Sequence, residues 1–157
     1  MADLTGSVAR VRAALLAGGH PDTIAAFPAG TRTAADAAAA VGCAVAQIAK
    51  SIVFRAGDRA ALVITSGANR VDPGLAGAAL GVALRRADAD WVREATGFAV
   101  GGVAPVGHLA PPLILLDQDL LALDPIWAAA GSPLHVFRTS APALLRLTGA
   151  AVARVAS

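Results

Sequence analysis

The chain has 157 residues, of which 56% are hydrophobic and 15% are charged, and its net charge is +2. It is long enough for one domain with a buried core and too apolar to be a disordered chain. The mean hydropathy of +0.63 does not indicate a membrane protein, because nearly half of the hydrophobic residues are alanine. The longest stretch without a charged side chain, residues 95–116, contains glycines and prolines that a membrane-spanning helix does not carry.

The cysteine count and the first residues indicate the compartment. Cys43 is the only cysteine, which excludes an internal disulfide and a zinc site built from several cysteines. The chain opens with Met-Ala-Asp-Leu, which has an acidic residue and lacks the apolar segment of a secretory signal. We therefore expect a single cytoplasmic domain over residues 1–157.

Apolar spacing and turn residues predict helices and strands in alternation along the first half of the chain. Apolar side chains at positions 4, 8, 11 and 15 form one stripe and predict a helix over 3–17. Thr33, with Asp36 three residues later, is typical of a helix N-terminus, and Gly42 is typical of its end. The other elements predicted here are a strand at 24–27, a helix at 33–41, and an antiparallel hairpin of strands 51–55 and 61–65.

In the second half, Asp72 followed by Pro73 predicts the start of a helix, and Asp88 or Asp90 predicts the start of another that ends at Gly97. Trp91 and Trp127 fall in apolar segments of helical character, so we assign both to the core. Strands are predicted at 82–84, 113–116, 134–138 and 152–155, and a last helix at 142–147. This mixture favours an α+β fold with a mixed sheet over a regular βαβ series.

Lys50 is the only lysine, whereas the other twelve basic residues are arginine. A GC-rich genome is the simplest source of that bias. A lysine that persists against it marks a position where arginine is not equivalent, because the two cations differ in shape and hydration. We place Lys50 at the junction of an apolar turn and a strand, where partial desolvation would strengthen its attraction for an anion or a carbonyl oxygen. The alternative is a lysine that extends from a strand end into solvent.

The segment 101–108, Gly-Gly-Val-Ala-Pro-Val-Gly-His, predicts a constrained loop with few large side chains. Such a loop lets a ligand approach the backbone and can direct amide N–H groups at an oxygen. It matches neither a Walker loop nor a dinucleotide fingerprint. A structural turn between two strands is the alternative.

Other polar residues give weaker signals. Asn69 and Arg70 in the loop 66–70 would bind a phosphate or a nucleotide edge, or else form a solvated loop. The histidines lack metal-ligand spacing and the serines lack a nucleophile elbow, so we predict neither a metal site nor a serine nucleophile. The sequence pI of about 9.5 is compatible with a nucleic-acid partner without being diagnostic.

Four segments in order, residues 31–38, 47–54, 66–72 and 95–108, resemble the YbaK/ProX family. Its members are free-standing relatives of the editing domain inserted in bacterial prolyl-tRNA synthetases. The resemblance extends over residues 31–149, and its specific part is Ile-Ala-Lys-Ser at 48–51 combined with the glycine-rich segment at 101–108. It implies a mixed, barrel-like β-sheet flanked by helices.

The resemblance also implies an activity. This is hydrolysis, without cofactor or metal, of the ester that links a wrong small amino acid such as alanine or cysteine to the 3′ end of a tRNA. The tRNA is usually that for proline, and a prolyl-tRNA synthetase is a candidate partner. Lys50 is then the central functional residue near the scissile ester, with Gly102 beside it. The residues expected to bind the substrate are Phe27, Ser51, Ser66, Asn69, Arg70, Gly101, Val103, Ala104, Pro105, His108 and His135.

Two departures from the family pattern concern the amino acid that is removed. Cysteine-specific members use the substrate's own thiol instead of water, and they carry an aromatic hydroxyl early in the chain. This sequence has no tyrosine, and Phe27 occupies that region. Those members also carry a serine and an aspartate in the segment matching 129–135, where this chain has no acidic residue and His135 is the candidate pocket residue. A module that binds tRNA or an aminoacyl ligand without turnover is the alternative function.

Overall fold

Capping residues and apolar stripes fix the helices of the computed structural model, which describes residues 4–156. The Thr33 hydroxyl accepts a hydrogen bond from the Asp36 N–H at the start of one helix, and the Asp88 carboxylate accepts one from the Trp91 N–H at the start of another. The helix predicted over 3–17 is confirmed from Leu4 onward, and Asp3 lies outside the described residues. The α-helices of the described part are α1 (Leu4–Ala17), α2 (Ala34–Val41), α3 (Pro73–Leu80), α4 (Ala89–Thr96) and α5 (Ala141–Thr148).

The strands form one mixed sheet in the order β1-β7-β6-β2-β3-β5-β8, with β4 paired to β2 beside this path. The pairs β2–β6, β3–β5 and β5–β8 are parallel, and the others are antiparallel. The predicted α+β fold with a mixed sheet is confirmed, and the sheet is open, with β1 and β8 at its edges. The strands are β1 (Ile24–Ala26), β2 (Ile48–Ala56), β3 (Arg59–Ser66), β4 (Arg85–Arg86), β5 (Leu113–Asp117), β6 (Ile126–Ala129), β7 (His135–Thr139) and β8 (Ala151–Ala153).

The predicted hairpin is confirmed as β2 and β3, joined by a two-residue turn in which Gly57 has φ +64°. Strand β2 begins at Ile48, three residues before the predicted start. Lys50 therefore lies within the strand, opposite Thr65 of β3, and not at a junction between a turn and a strand.

Two element predictions are wrong. The strand expected at 82–84 lies instead at Arg85–Arg86, because Gly81 ends α3 in a left-handed conformation and the Val82 N–H still bonds to the Gly77 carbonyl. Trp127 lies on β6 and not on a helix. Its neighbours alternate between buried and half-buried positions, a period of two that is typical of a strand.

Helices cover both faces of the sheet. On one face, α1, α4 and α5 pack on the main core through Leu15, Val92 and Leu144. On the other face, α2 covers a small cluster that includes Ile48, and α3 covers another that includes Val63. In residues 4–156, no helix is long and apolar enough to cross a membrane.

Candidate active site

The middle of strand β2 has no neighbouring strand along one edge. Strand β6 pairs only with residues 48–49 and β4 only with residues 54–55, so residues 50–53 border a gap in the sheet. The segment between α4 and β5 crosses this gap with Val100, Gly101 and Val103. The site thus joins the two segments that the sequence singled out.

The backbone of β2 presents polar groups to this gap. The Gly67 N–H donates to the Ile48 carbonyl, which places the even-numbered residues of β2 in hydrogen-bonded pairs with β3. The N–H and C=O groups of Ser51 and Val53 therefore point away from β3, toward the gap. In the described part of the chain, no strand pairs with them there.

The side chains of β2 alternate between the two faces of the sheet where the strand borders the gap. Lys50 points to the same face as Ile48, under α2, whereas Ser51 points to the face of Ala49 and Val53, in the main core. Two adjoining cavities border the gap. The Lys50 cleft has a volume of about 370 Å³ and is lined by residues that include Arg32, Ala34, Ala37, Ile48, Lys50 and Trp127.

The second cavity, the Ser51 pocket, has a volume of about 260 Å³. It shares Ser51, Ile52, Val100, Gly101 and Val103 with the Lys50 cleft, so the two cavities meet at the middle of β2 and at the loop 101–108. Its lining includes Ser51, Val53, Phe54, Arg86, Val92 and Val103.

Lys50 and Arg32 are the cations of the Lys50 cleft. Lys50 is half-buried, and its side chain has no hydrogen bond or ion pair within the described residues, where the one ion pair joins Arg12 to Asp22. Arg32 is exposed, and its side-chain stem lies against Gly101. Two unpaired cations beside apolar walls attract an anion or a negatively polarised oxygen.

The first two glycines of the loop 101–108 serve different purposes. Gly101 has φ +92°, which favours glycine, while a Cβ on Gly102 would lie 2.6 Å from the carbonyl carbon of Ser132. The Gly102 N–H donates to the Ala99 carbonyl at 3.0 Å, so this amide is engaged within the loop. The N–H groups of Gly101 and Val103 have no acceptor among residues 4–156 and are the loop donors available to a ligand.

His108 supports the loop from behind. Its Nε2 lies 2.6 Å from the Ala104 carbonyl, and its ring packs edge-to-face on Phe98. Burial lowers the pKa of His108, the Ala104 carbonyl partly offsets this, and the positive charge of Arg10 adds to the lowering. The neutral ring therefore donates from Nε2. His108 and Pro105 line a separate cleft next to α1 and α5, and Ala104 is fully buried.

Ser66 and Asn69 belong to a closed hydrogen-bond network around Asp117, which is 1% exposed. Asp117 Oδ2 accepts from the Thr65 hydroxyl at 2.9 Å, the Ser66 N–H at 3.0 Å and the Asn69 side-chain amide at 2.8 Å. Its Oδ1 accepts from the Asp119 N–H. The Ser66 hydroxyl donates to the Ala46 carbonyl. These groups bind one another and do not line either cavity of the gap.

The remaining predicted residues lie around the site. Phe27 packs behind α2 in the cluster of Ile48, and Arg70 is exposed outside the cleft. His135 Nδ1 lies 2.6 Å from the Ser132 hydroxyl, and burial, with a smaller effect of Arg12, lowers its pKa. The structure thus brings Lys50, Ser51, Gly101 and Val103 together at the gap, whereas Gly102 lines neither cavity and lies against the backbone of Ser132.

Sequence reasoning missed Arg32 and Trp127, which both line the Lys50 cleft. Arg32 lies immediately before the Thr33 cap, within a segment that carried the family resemblance. Trp127 was assigned to a helical core although its neighbours alternate in the manner of a strand. Within residues 4–156, no group of three His, Cys, Asp or Glu side chains is placed to hold a metal ion.

Comparison with known proteins supports one family. A model of the aminoacyl-tRNA editing domain matches residues 28–147. The curated protein YwhH of Bacillus subtilis (strain 168), which is uncharacterised, is 32% identical over 107 residues, 68% of each chain. A crystal structure of a candidate trans-editing enzyme for prolyl-tRNA synthetase is 47% identical, with a TM-score of 0.89 over 96% of this chain and 97% of that one. A scaffold protein for computational epitope grafting is 45% identical, with a TM-score of 0.90 over the same shares.

Proposed function

This chain belongs to the family of aminoacyl-tRNA editing domains and is an aminoacyl-tRNA deacylase, and we propose that it acts in trans on tRNA for proline that carries a small wrong amino acid. The likeness to a candidate trans-editing enzyme for prolyl-tRNA synthetase supports this choice of tRNA. A prolyl-tRNA synthetase would then be the enzyme that releases the misacylated substrate. Alanine, cysteine and serine are the amino acids to test first.

The observation that carries the proposal is the pairing of a free cation with free amides. The Lys50 ammonium has no partner among the described residues, and the amides of Gly101 and Val103 lack acceptors across the same gap. An ester carbonyl placed in the gap would receive donors from both sides. Such donors stabilise the negative charge that develops on the carbonyl oxygen in the transition state.

The reaction needs no nucleophile from the protein. The oxygen of a water molecule forms a bond to the ester carbonyl carbon, and the bond from that carbon to the ribose oxygen breaks. One proton from the water ends on the ribose oxygen, so the products are the free amino acid and a tRNA with its terminal hydroxyl restored. Lys50 and the loop amides hold the carbonyl oxygen throughout these steps.

Arg32 is suited to the nucleotide part of the substrate. Its guanidinium is exposed at the rim of the Lys50 cleft, and its stem lies on Gly101, next to the loop amides. Arginine recognises phosphate through paired N–H donors. We assign it to a phosphate of the single-stranded 3′ end, which places the ribose over the Lys50 cleft.

The test is a deacylation panel. The protein is incubated with tRNA for proline charged with alanine, cysteine, serine or proline, and the release of each amino acid is compared with buffer. We expect at least one wrong amino acid to be released faster than proline. Tight tRNA binding without any single-turnover release would contradict the proposal and favour a binding module.

A further inference from the structure

The hydroxyl of Ser51 has no hydrogen-bond partner in the described part of the chain. Its Oγ is buried, although the residue as a whole is half-buried, and no described group lies within bonding distance. Buried hydroxyl groups in proteins are almost always bonded, because leaving one unpaired loses the hydrogen bonds that water would make. An unpaired hydroxyl that borders a cavity therefore indicates that a bound ligand supplies the missing hydrogen-bond partner.

The Ser51 pocket is otherwise largely apolar. Val53, Val92 and Val103 form its walls, and the exposed Arg86 stands at its margin. Because Lys50 and Ser51 are consecutive on a strand, their side chains point to opposite faces of the sheet. A substrate whose ester carbonyl lies in the gap would thus reach both cavities.

We propose that the Ser51 pocket receives the side chain of the misacylated amino acid and that Ser51 Oγ selects a side chain bearing a hydroxyl group. This inference rests on the proposed deacylase function. With the nucleotide at the Arg32 end of the Lys50 cleft and the carbonyl at the gap, the Ser51 pocket, which adjoins the cleft at Ser51 and Gly101, is the space left for the amino-acid side chain. The substrate class is then seryl or threonyl esters in preference to apolar esters of the same size.

The physical basis is that a buried polar group discriminates between substrates more strongly than an apolar wall does. A site with a buried hydrogen-bonding group rejects an analogue that leaves this group unpaired, whereas apolar walls discriminate weakly between side chains of equal size. The hydroxyl group of a seryl ester forms a hydrogen bond with the Ser51 hydroxyl. An ethyl side chain of similar size leaves it unpaired and places a methyl group against it.

The experiment compares serine with 2-aminobutyrate, in which a methyl group replaces the hydroxyl. Both are loaded chemically on tRNA for proline, and single-turnover rates are measured for the wild type, Ser51→Ala and Ser51→Thr. We expect the wild type to release serine about tenfold faster than 2-aminobutyrate. In Ser51→Ala the ratio of the two rates should be near one, whereas Ser51→Thr should keep the preference for serine.

The control variant is Ser140→Ala, which removes the hydroxyl that caps α5, remote from the gap. It should lower thermal stability and keep the wild-type ratio, so a general loss of stability is separated from a loss of selectivity. An equal loss on both esters in Ser51→Ala, or a wild type without preference, would overturn the inference and leave the deacylase intact. A wild type that releases neither these amino acids nor any other in the panel would overturn both.

Discussion

Two polar clusters lie side by side at the same end of the β2–β3 hairpin, and they differ in how their groups are bonded. Around Asp117, the carboxylate accepts four hydrogen bonds from the chain itself. At the gap, Lys50 and Ser51 Oγ have no partner within residues 4–156. A satisfied cluster contributes to stability, whereas unpaired groups beside a cavity are available to a ligand. The comparison predicts that mutations in the two clusters affect different properties.

The largest effect is expected from Lys50→Ala. Removing one donor to a developing oxyanion lowers the rate by about 10²–10³-fold, and the same loss is expected for deacylation here. The free energy of unfolding should stay near that of the wild type, because the Lys50 side chain makes no hydrogen bond or ion pair within residues 4–156. Single-turnover release and urea denaturation measure the two quantities.

Two further variants sharpen this prediction. Lys50→Arg should not restore the rate, because the guanidinium is broader than the ammonium and differently hydrated. Arg154→Ala removes an exposed cation after β8, the edge strand of the sheet, and should keep the wild-type rate. Full activity in Lys50→Ala would remove Lys50 from the mechanism.

Gly102→Ala tests whether the loop must lie against the segment of Ser132. The new Cβ would be 2.6 Å from a backbone carbon, which cannot move as a flexible side chain can. We expect a loss of ~3 kcal/mol in unfolding free energy and a reduced deacylation rate, because the loop amides shift. Gly149→Ala, at a positive φ with open space around it, should cost only ~1 kcal/mol and no activity. Equal stability losses in the two variants would contradict close packing at Gly102.

Asp117→Asn tests whether the hydrogen-bond network around Asp117 contributes to stability and not to catalysis. An amide cannot accept on both sides, so in either orientation its NH₂ group faces an N–H donor that the carboxylate had bonded. We expect a loss of ~2 kcal/mol in unfolding free energy with an unchanged rate per folded molecule. Asp58→Asn is the control, because Asp58 is exposed in the turn between β2 and β3 and its side chain has no hydrogen bond within residues 4–156; it should change stability by no more than ~0.5 kcal/mol. Loss of activity at full stability in Asp117→Asn would place this network in the active site.

The same contrast explains how far the sequence could predict the site. Lys50, Ser51 and the glycine loop were found because they belong to local motifs, each within a few residues. Ser66 and Asn69 belong to equally polar motifs, but their partner Asp117 lies about fifty residues away in the chain. Sequence alone does not show whether a polar group is satisfied, because its partners are distant in the chain. The Asp117 network is therefore invisible before the fold is known.

The helices and strands were likewise predictable only where the residues that determine them are close together in the chain. Helices with side-chain caps, such as those begun by Thr33 and Asp88, were predicted because the cap lies next to the helix it starts. Strand β4 has two residues and exists only because β2 offers an edge, so local sequence placed it at 82–84. Trp127 was misassigned because three alanines follow it, and alanine has the highest helix propensity of all residues.

The smallest effect concerns pH and His108. Burial lowers the pKa of His108 in the folded protein, while in the unfolded chain it returns to about 6.5. Between these two values the unfolded chain binds more protons, so the free energy of unfolding decreases as the pH falls below about 6.5.

His108→Gln keeps an N–H donor for the Ala104 carbonyl and does not titrate, so its stability should decline less between about pH 7 and about pH 5.5. His135→Gln is the matched control, because burial lowers the pKa of His135 as well, but this ring lies nearer the surface. It should keep most of the wild-type slope in urea denaturation at each pH. Equal slopes in both variants would mean that other groups set the acid sensitivity, and that the loop does not depend on a neutral His108 behind it.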